Sequence, residues 1–180
     1  PESFTPDLAP LIGEAPELEN YFVACGLNSL GILSGGGIGR LLARWIIDGR
    51  PDCDVSRINV NRFHNCQRNP KFREDRLVEV LGKMYEPHFP NLGMSKARNV
   101  KQSVLHDRLL KAGAHFNESA GWEIADWYAT DGKPGVVERY SWGRQNWFAD
   151  HEAEHHAARN DVVLMDMSFM SKFLVQGNDA

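Results

Sequence analysis

No apolar run in this 180-residue chain approaches the roughly 20 residues that cross a bilayer, and no charged start followed by an apolar stretch marks a signal peptide, so neither a membrane span nor a secretory leader is expected. Basic excess is missing too. A net charge of −4 offers no positive field for a phosphate backbone, which argues against nucleic acid as a partner. Cysteine is scarce and odd in number. Cys25, Cys53 and Cys66 are widely spaced, as reduced thiols are and as disulfide or zinc frameworks are not, and Cys25 reads as a small core residue. There is no nucleophile elbow, no phosphate-binding P-loop and no triad. The dinucleotide fingerprint is incomplete, because Gly35-x-Gly37 would need a third glycine where Arg40 stands. Repeats and low-complexity segments are absent. So is an initiating methionine: the chain starts at Pro1 and ends at Ala180 just after the turn signal Gly177-Asn178, and is expected to be a segment of a longer polypeptide.

What is present is an ordinary soluble composition, 42% hydrophobic and 24% charged, long enough to bury a real core. Residues 3–48 read as strand, turn, strand, glycine turn and helix. Phe22, Val23, Ala24 and Cys25 form a short apolar run of the buried-strand kind, and Leu41, Leu42, Trp45 and Ile46 recur at helical spacing. Between them Gly31, Gly35, Gly36, Gly37 and Gly39 would form a side-chain-poor turn through which a ligand could reach backbone N–H groups, the alternative being a tight connection without a ligand. Gly49 and Pro51 should end the helix. A second helix is expected within residues 59–86, with a stripe of Phe63, Phe72, Leu77, Val80, Leu81 and Met84, stopped by Pro87 and Pro90. Further helices are expected over 103–112, ended by Gly113, and over 150–160. A loop carrying Asp131-Gly132 and Pro134-Gly135 lies between them. Residues 162–168 and 172–177 read as β-structure.

His151-Glu152-Ala153-Glu154-His155 fits the spacing in which two imidazoles one helical turn apart share a zinc and the glutamate activates water. The longer form of that motif needs glycine at Ala158 and histidine at Asp161, so no metal is expected. His64, His88, His106 and His115 share no spacing and read as surface or hydrogen-bonded residues. Trp122, Trp127, Trp142 and Trp147 read as core and interface residues rather than a stacking site.

Beside these readings, nearly the whole chain resembles the dimethylglycine dehydrogenase and sarcosine dehydrogenase family of multidomain flavoproteins. Thr5-Pro6-Asp7, Gly13-Glu14, residues 20–32, the glycine cluster and residues 43–49 resemble the closing part of its D-amino-acid-oxidase-like flavin domain. Arg62-Phe63-His64, Tyr85, Phe89-Pro90 and Ala97-Arg98 resemble its small central domain. Leu105-His106, Gly113-Ala114, Gly121-Trp122-Glu123, Trp147-Phe148, Glu154-His155, Ala158-Arg159, Asp166-Met167-Ser168 and Val175-Gln176-Gly177 resemble the opening of the glycine-cleavage T protein, an aminomethyltransferase.

The resemblance implies an α+β chain: the end of an FAD domain over residues 1–54, a central domain of structural role over 55–103, and the start of a folate-binding, aminomethyltransferase-like domain over 104–180. It implies that Ser29, Leu30, Gly31, Ile32, Leu33 and Ser34 lie near flavin, and it gives Glu154-His155 a family explanation in place of zinc. It assigns neither a catalytic residue nor a metal ligand inside the chain. The implied chemistry is oxidation of an N-methyl group on a small amino acid such as dimethylglycine or sarcosine. Hydride passes to FAD, and the one-carbon unit passes to tetrahydrofolate in the C-terminal domain. An electron acceptor such as an electron-transfer flavoprotein would follow. The compartment implied is the cytoplasm in a bacterium or the mitochondrial matrix in a eukaryote. Two further classes stand beside this: a non-enzymatic regulatory subunit of pyruvate dehydrogenase phosphatase with the same architecture, and a zinc hydrolase using His151 and His155.

Overall fold

The structure, a computed structural model, describes residues 2–133 and 136–179. Pro134-Gly135 of the expected loop lies outside the described residues. The chain forms two compact units. The first runs to His88 and takes in Met94–Ala97, and the second comprises Phe89–Gly93 and the chain from Arg98 onward. Each is a mixture of helices and one antiparallel strand pair, as an α+β chain requires.

In the first unit β1 (Leu11–Glu14) pairs antiparallel with β2 (Phe22–Cys25), Leu11 opposite Cys25 and Glu14 opposite Phe22. Helix α1 (Gly31–Asp48) follows and ends at Gly49, whose φ of 69° is the left-handed cap that the Gly-Arg-Pro exit foretells. The core is Ile12, Leu41, Trp45 and Val55, with Phe22, Leu27, Ile38, Leu42 and Ile58 packed around it. Arg62 ties the N-terminal loop down. Its guanidinium grips Asp7 bidentately at 2.7 and 2.8 Å and donates to the carbonyls of Ala9 and Pro10.

The expected helix over 59–86 divides. Val60–Arg62 and Asn65–Arg68 are short 3₁₀ turns, and the α-helix α2 begins only at Pro70 and ends at Tyr85. Asn69 explains the boundary. Its side chain accepts the Lys71 N–H at 2.8 Å and Pro70 takes the first helical position, so hydrogen-bonding chemistry overrides a hydrophobic stripe that extends back to Phe63. Phe72 and Val80 are buried, Leu81 is exposed, and Arg76 lies over the Phe72 ring.

Glu79 on α2 holds the 95–96 segment. It accepts the Ser95 and Lys96 backbone N–H groups at 2.6 and 2.9 Å and the Ser95 hydroxyl at 2.9 Å, with the Lys83 ammonium 3.2 Å away. Burial would raise its pKa, but these donors outweigh burial and hold it at about 2, below its ordinary 4.5. A depressed carboxyl stabilises the fold fully above the unfolded value and loses that contribution as pH falls towards the folded one. The urea midpoint should therefore drop between pH 4.5 and about 2, and Glu79→Gln should flatten that part of the profile. An unchanged slope in the variant would count against this role.

The second unit is built on β3 (Ala114–Ser119) and β4 (Trp122–Tyr128), an antiparallel hairpin with a bulge between His115 and Phe116. Its two-residue turn is Ala120-Gly121, both at positive φ (50° and 81°), the twist that suits a tight hairpin. A short helix, α3 (His106–Lys111), precedes it, and α4 (Phe148–Asn160) packs on β4. Trp127, Ala129 and Trp147 form the core, with the Trp127 and Trp147 rings stacked 6.2 Å apart. Trp142 is exposed, against the core role expected of it, and tilts on Phe89 at 5.0 Å.

Two expectations fail here. Residues 162–177 form no strand, because a strand needs a hydrogen-bonded neighbour and none of the described residues pairs with this segment. Leu164, Phe173, Leu174 and Val175 stand exposed. Cys25 is exposed rather than core: among the described residues β2 has β1 as its one strand neighbour, and its last two residues, Ala24 and Cys25, are both left exposed.

Candidate cofactor site

Between β2 and α1 the chain makes a turn over residues 26–30 that no glycine run explains. Gly26 has φ 65°, and a Cβ there would stand 2.5 Å from Thr5 Cγ2, so both the dihedral and the space demand glycine. Asn28 and Ser29 follow in the left-handed region at 48° and 63°. Asn28, almost completely buried, is the turn's peg. Its Oδ1 accepts the Thr5 N–H at 2.8 Å, its Nδ2 donates to the Gly26 carbonyl at 2.8 Å, and its backbone N–H donates to the Ser3 carbonyl at 3.1 Å. Asparagine tolerates the left-handed conformation and supplies its own hydrogen bonds there, which is the signal that sequence reasoning could have used and did not.

The turn delivers the N-terminus of α1 to the surface. The Leu30 carbonyl starts the helical ladder by accepting the Ser34 N–H at 2.9 Å. The Ser34 hydroxyl donates to the same carbonyl at 2.6 Å, so it serves the helix end. Leu30 offers no capping side chain and the first turn holds no acid. The N–H groups of Gly31, Ile32 and Leu33 thus have no acceptor among the described residues, as expected of an uncapped helix end. Beside them the residues Ile32 and Leu33 are 104% and 84% exposed. Three orphan donors, a helix dipole and two bare apolar side chains together fit a flat ligand with an electron-rich edge. Of the expected residues 29–34, Ser29 and Leu30 belong to the turn, and Gly31, Ile32, Leu33 and Ser34 form the first turn of α1. They do not line the cavity of about 650 Å³ that Phe4, Pro6, Leu11, Phe63, Arg68 and Arg73 help enclose.

The expected glycine turn needs correction. Gly35, Gly36, Gly37 and Gly39 lie inside α1, where their N–H groups belong to the helical ladder rather than to a ligand. Glycine disfavours a helix by about 1 kcal/mol per residue relative to alanine. Here continuity with Ile38, Leu41, Leu42 and Trp45, which pack on or form the core, outweighs that. A Cβ at any of the four would meet nothing within 4 Å, so no close approach within the structure requires glycine there.

In the second unit the motif histidines His151 and His155 sit on α4, and among the described residues no group of three or more His, Cys, Asp or Glu is placed to hold a metal ion. Glu154, inside that motif, is instead structural: it accepts the Tyr128 N–H at 2.7 Å and fastens α4 to β4. Asp150 does the same at Thr130, accepting its N–H and its hydroxyl at 2.9 Å each. Asp166 accepts the Ser103 hydroxyl at 2.6 Å and the Ser168 N–H at 2.9 Å, and the Ser103 bond leads in lowering its pKa.

Comparison with known proteins divides the chain into three consecutive blocks. Residues 1–45 match the FAD dependent oxidoreductase family, 48–103 the FAD dependent oxidoreductase central domain, and 105–180 the GCVT N-terminal domain. Over its full length the chain is 48% identical to a 4-methylaminobutanoate oxidase (formaldehyde-forming) of Paenarthrobacter nicotinovorans and 36% identical to human mitochondrial sarcosine dehydrogenase, covering 22% of each. Over 96% of its length it is 33% identical to the mouse mitochondrial pyruvate dehydrogenase phosphatase regulatory subunit, covering 20% of that protein. The chain thus spans about a fifth of the length of these relatives.

Proposed function

The chain belongs to the dimethylglycine dehydrogenase and sarcosine dehydrogenase family of flavoproteins, and on that premise we propose that it is part of an FAD-dependent oxidoreductase acting on a small N-methylated amino acid. The observation that carries the reading is the set of orphan N–H groups at Gly31, Ile32 and Leu33 beside two exposed apolar side chains. When bound, FAD supplies the acceptance of hydride from the substrate's N-methyl carbon. The chain's own part is to bind and to tune. The first amides of α1 would be the donors that hold an electron-rich part of the flavin, and the helix dipole would favour negative charge there. Ile32 and Leu33 would offer apolar surface to the flavin and help exclude water. Ser29 and Leu30 shape the approach, Gly31 keeps it free of a side chain, and Ser34 secures the helix start.

The substrate is of the sarcosine, dimethylglycine or 4-methylaminobutanoate kind. Tetrahydrofolate takes the one-carbon unit through the domain that residues 104–180 open, residues 1–54 close the FAD domain, and residues 55–103 form the central one. The electrons go on to an acceptor such as an electron-transfer flavoprotein. The compartment is the bacterial cytoplasm or the mitochondrial matrix. Full-length protein, reduced anaerobically by each of the three amines and assayed for formaldehyde with and without tetrahydrofolate, tests the reading. Flavin that none of them bleaches would overturn it. It would favour the second reading, a non-enzymatic regulatory subunit, which the mouse relative supports.

Gly31→Val tests the site itself. A Cβ at Gly31 meets Leu27 Cδ1 at 3.1 Å, and a branched side chain would also intrude on the approach to the orphan amides. In correctly folded full-length protein the flavin potential should shift or flavin retention fall several-fold. Unchanged values for both would remove Gly31 from the site.

A further inference from the structure

We propose that Tyr85 is a positioning residue for the flavin-facing turn and acts through Ser29, an inference that rests on the FAD reading above. Tyr85 is the last residue of α2, within the segment matched by the central-domain family, and its hydroxyl donates to Ser29 Oγ at 2.6 Å. The Ser29 hydroxyl in turn donates to the Glu2 carboxylate. Ser29 is thereby clamped between α2 and the N-terminal segment, 56 and 27 residues away in sequence.

The clamp falls where the backbone needs it. Ser29 is a non-glycine residue at φ 63°, directly after Asn28 at 48°, and L-residues leave this region readily unless the surroundings hold them. Asn28 is held by burial and its amide bonds, whereas Ser29 is exposed and its side chain is held by Tyr85 and Glu2. One residue later Leu30 begins the α1 ladder, so the dihedrals at Ser29 aim the free amides of Gly31, Ile32 and Leu33. Tyr85 can do this because α2 is anchored independently by buried Phe72 and Val80. The central segment thus does more than support. It sets the angle at which the helix end meets the cofactor.

The test uses full-length flavoprotein carrying Tyr85→Phe, which keeps the ring and removes only the hydroxyl. Loss of one neutral hydrogen bond should make amide hydrogen exchange over residues 26–33 about five-fold faster. It should also displace the flavin midpoint potential while leaving the melting temperature nearly unchanged. Ser29→Ala should reproduce both effects, and the double variant should add little. If Tyr85→Phe alters neither readout while Gly31→Val still perturbs flavin, this inference fails and the FAD reading stands. If Gly31→Val leaves flavin untouched as well, the inference fails and Gly31 leaves the proposed site with it, while the FAD reading is decided by the amine-bleaching experiment. A change in melting temperature alone would make Tyr85 merely structural and would also overturn the proposal.

Discussion

Glu123→Ala is expected to lower the unfolding free energy of the second unit by about 3–5 kcal/mol, the range for breaking a buried ion pair on one side. Glu123 is buried on β4. Its carboxylate receives the Arg98 Nε–H at 2.9 and 3.1 Å, a further bond from Arg98 Nη2, and the Asn99 N–H at 2.6 Å. Burial alone would raise its pKa, yet the Arg98 and Asn99 bonds pull it below the ordinary range, so the group is ionised in the fold. Alanine would leave the Arg98 guanidinium, which also donates to the Phe116 carbonyl at 2.8 Å, without its counter-ion in a partly buried place. The check is a urea melt of the variant beside Arg98→Met/Glu123→Leu. The double variant should lose distinctly less, because it removes both charges from the interior. Equal losses in the two would show that packing, not charge, dominates.

Gly13→Val is the second large effect, a loss of about 3 kcal/mol or more from combined backbone strain and overpacking. Gly13 lies in the middle of β1 at φ 122°, where L-residues are strained, and a Cβ there would stand 2.6 Å from Cη2 of the Trp45 indole. That ring cannot swing away, since Trp45 belongs to the core and meets Phe22 edge-on at 6.2 Å. A thermal or urea midpoint within error of the parent would show that the hairpin and α1 can separate without cost. Such a result would contradict the single core described for this unit.

Both predictions concern residues that the chain's local pattern leaves inconspicuous, and the division between what was legible and what was not follows from range. Gly49 ends α1 in the left-handed conformation, Phe22–Cys25 is a strand and α4 covers the polar stretch 148–160, because caps, apolar runs and turn residues act over a few neighbours. The order of the three family regions was legible too, since many separate motifs repeat it. The start of the long helix was not. Five glycines read as a turn by propensity, and only the packing of Ile38, Leu41, Leu42 and Trp45 on the core carries the helix back to Gly31. Residues 162–177 show the converse: their apolar runs favour a strand, but a strand is completed by another segment's hydrogen bonds, which no local pattern contains. The same reason applies to the candidate site. Residues 29–34 were proposed from the family resemblance, whereas Asn28 as the buried peg and the hydrogen bond from Tyr85 to Ser29 exist only once Ser3, Thr5 and α2 are brought to the turn.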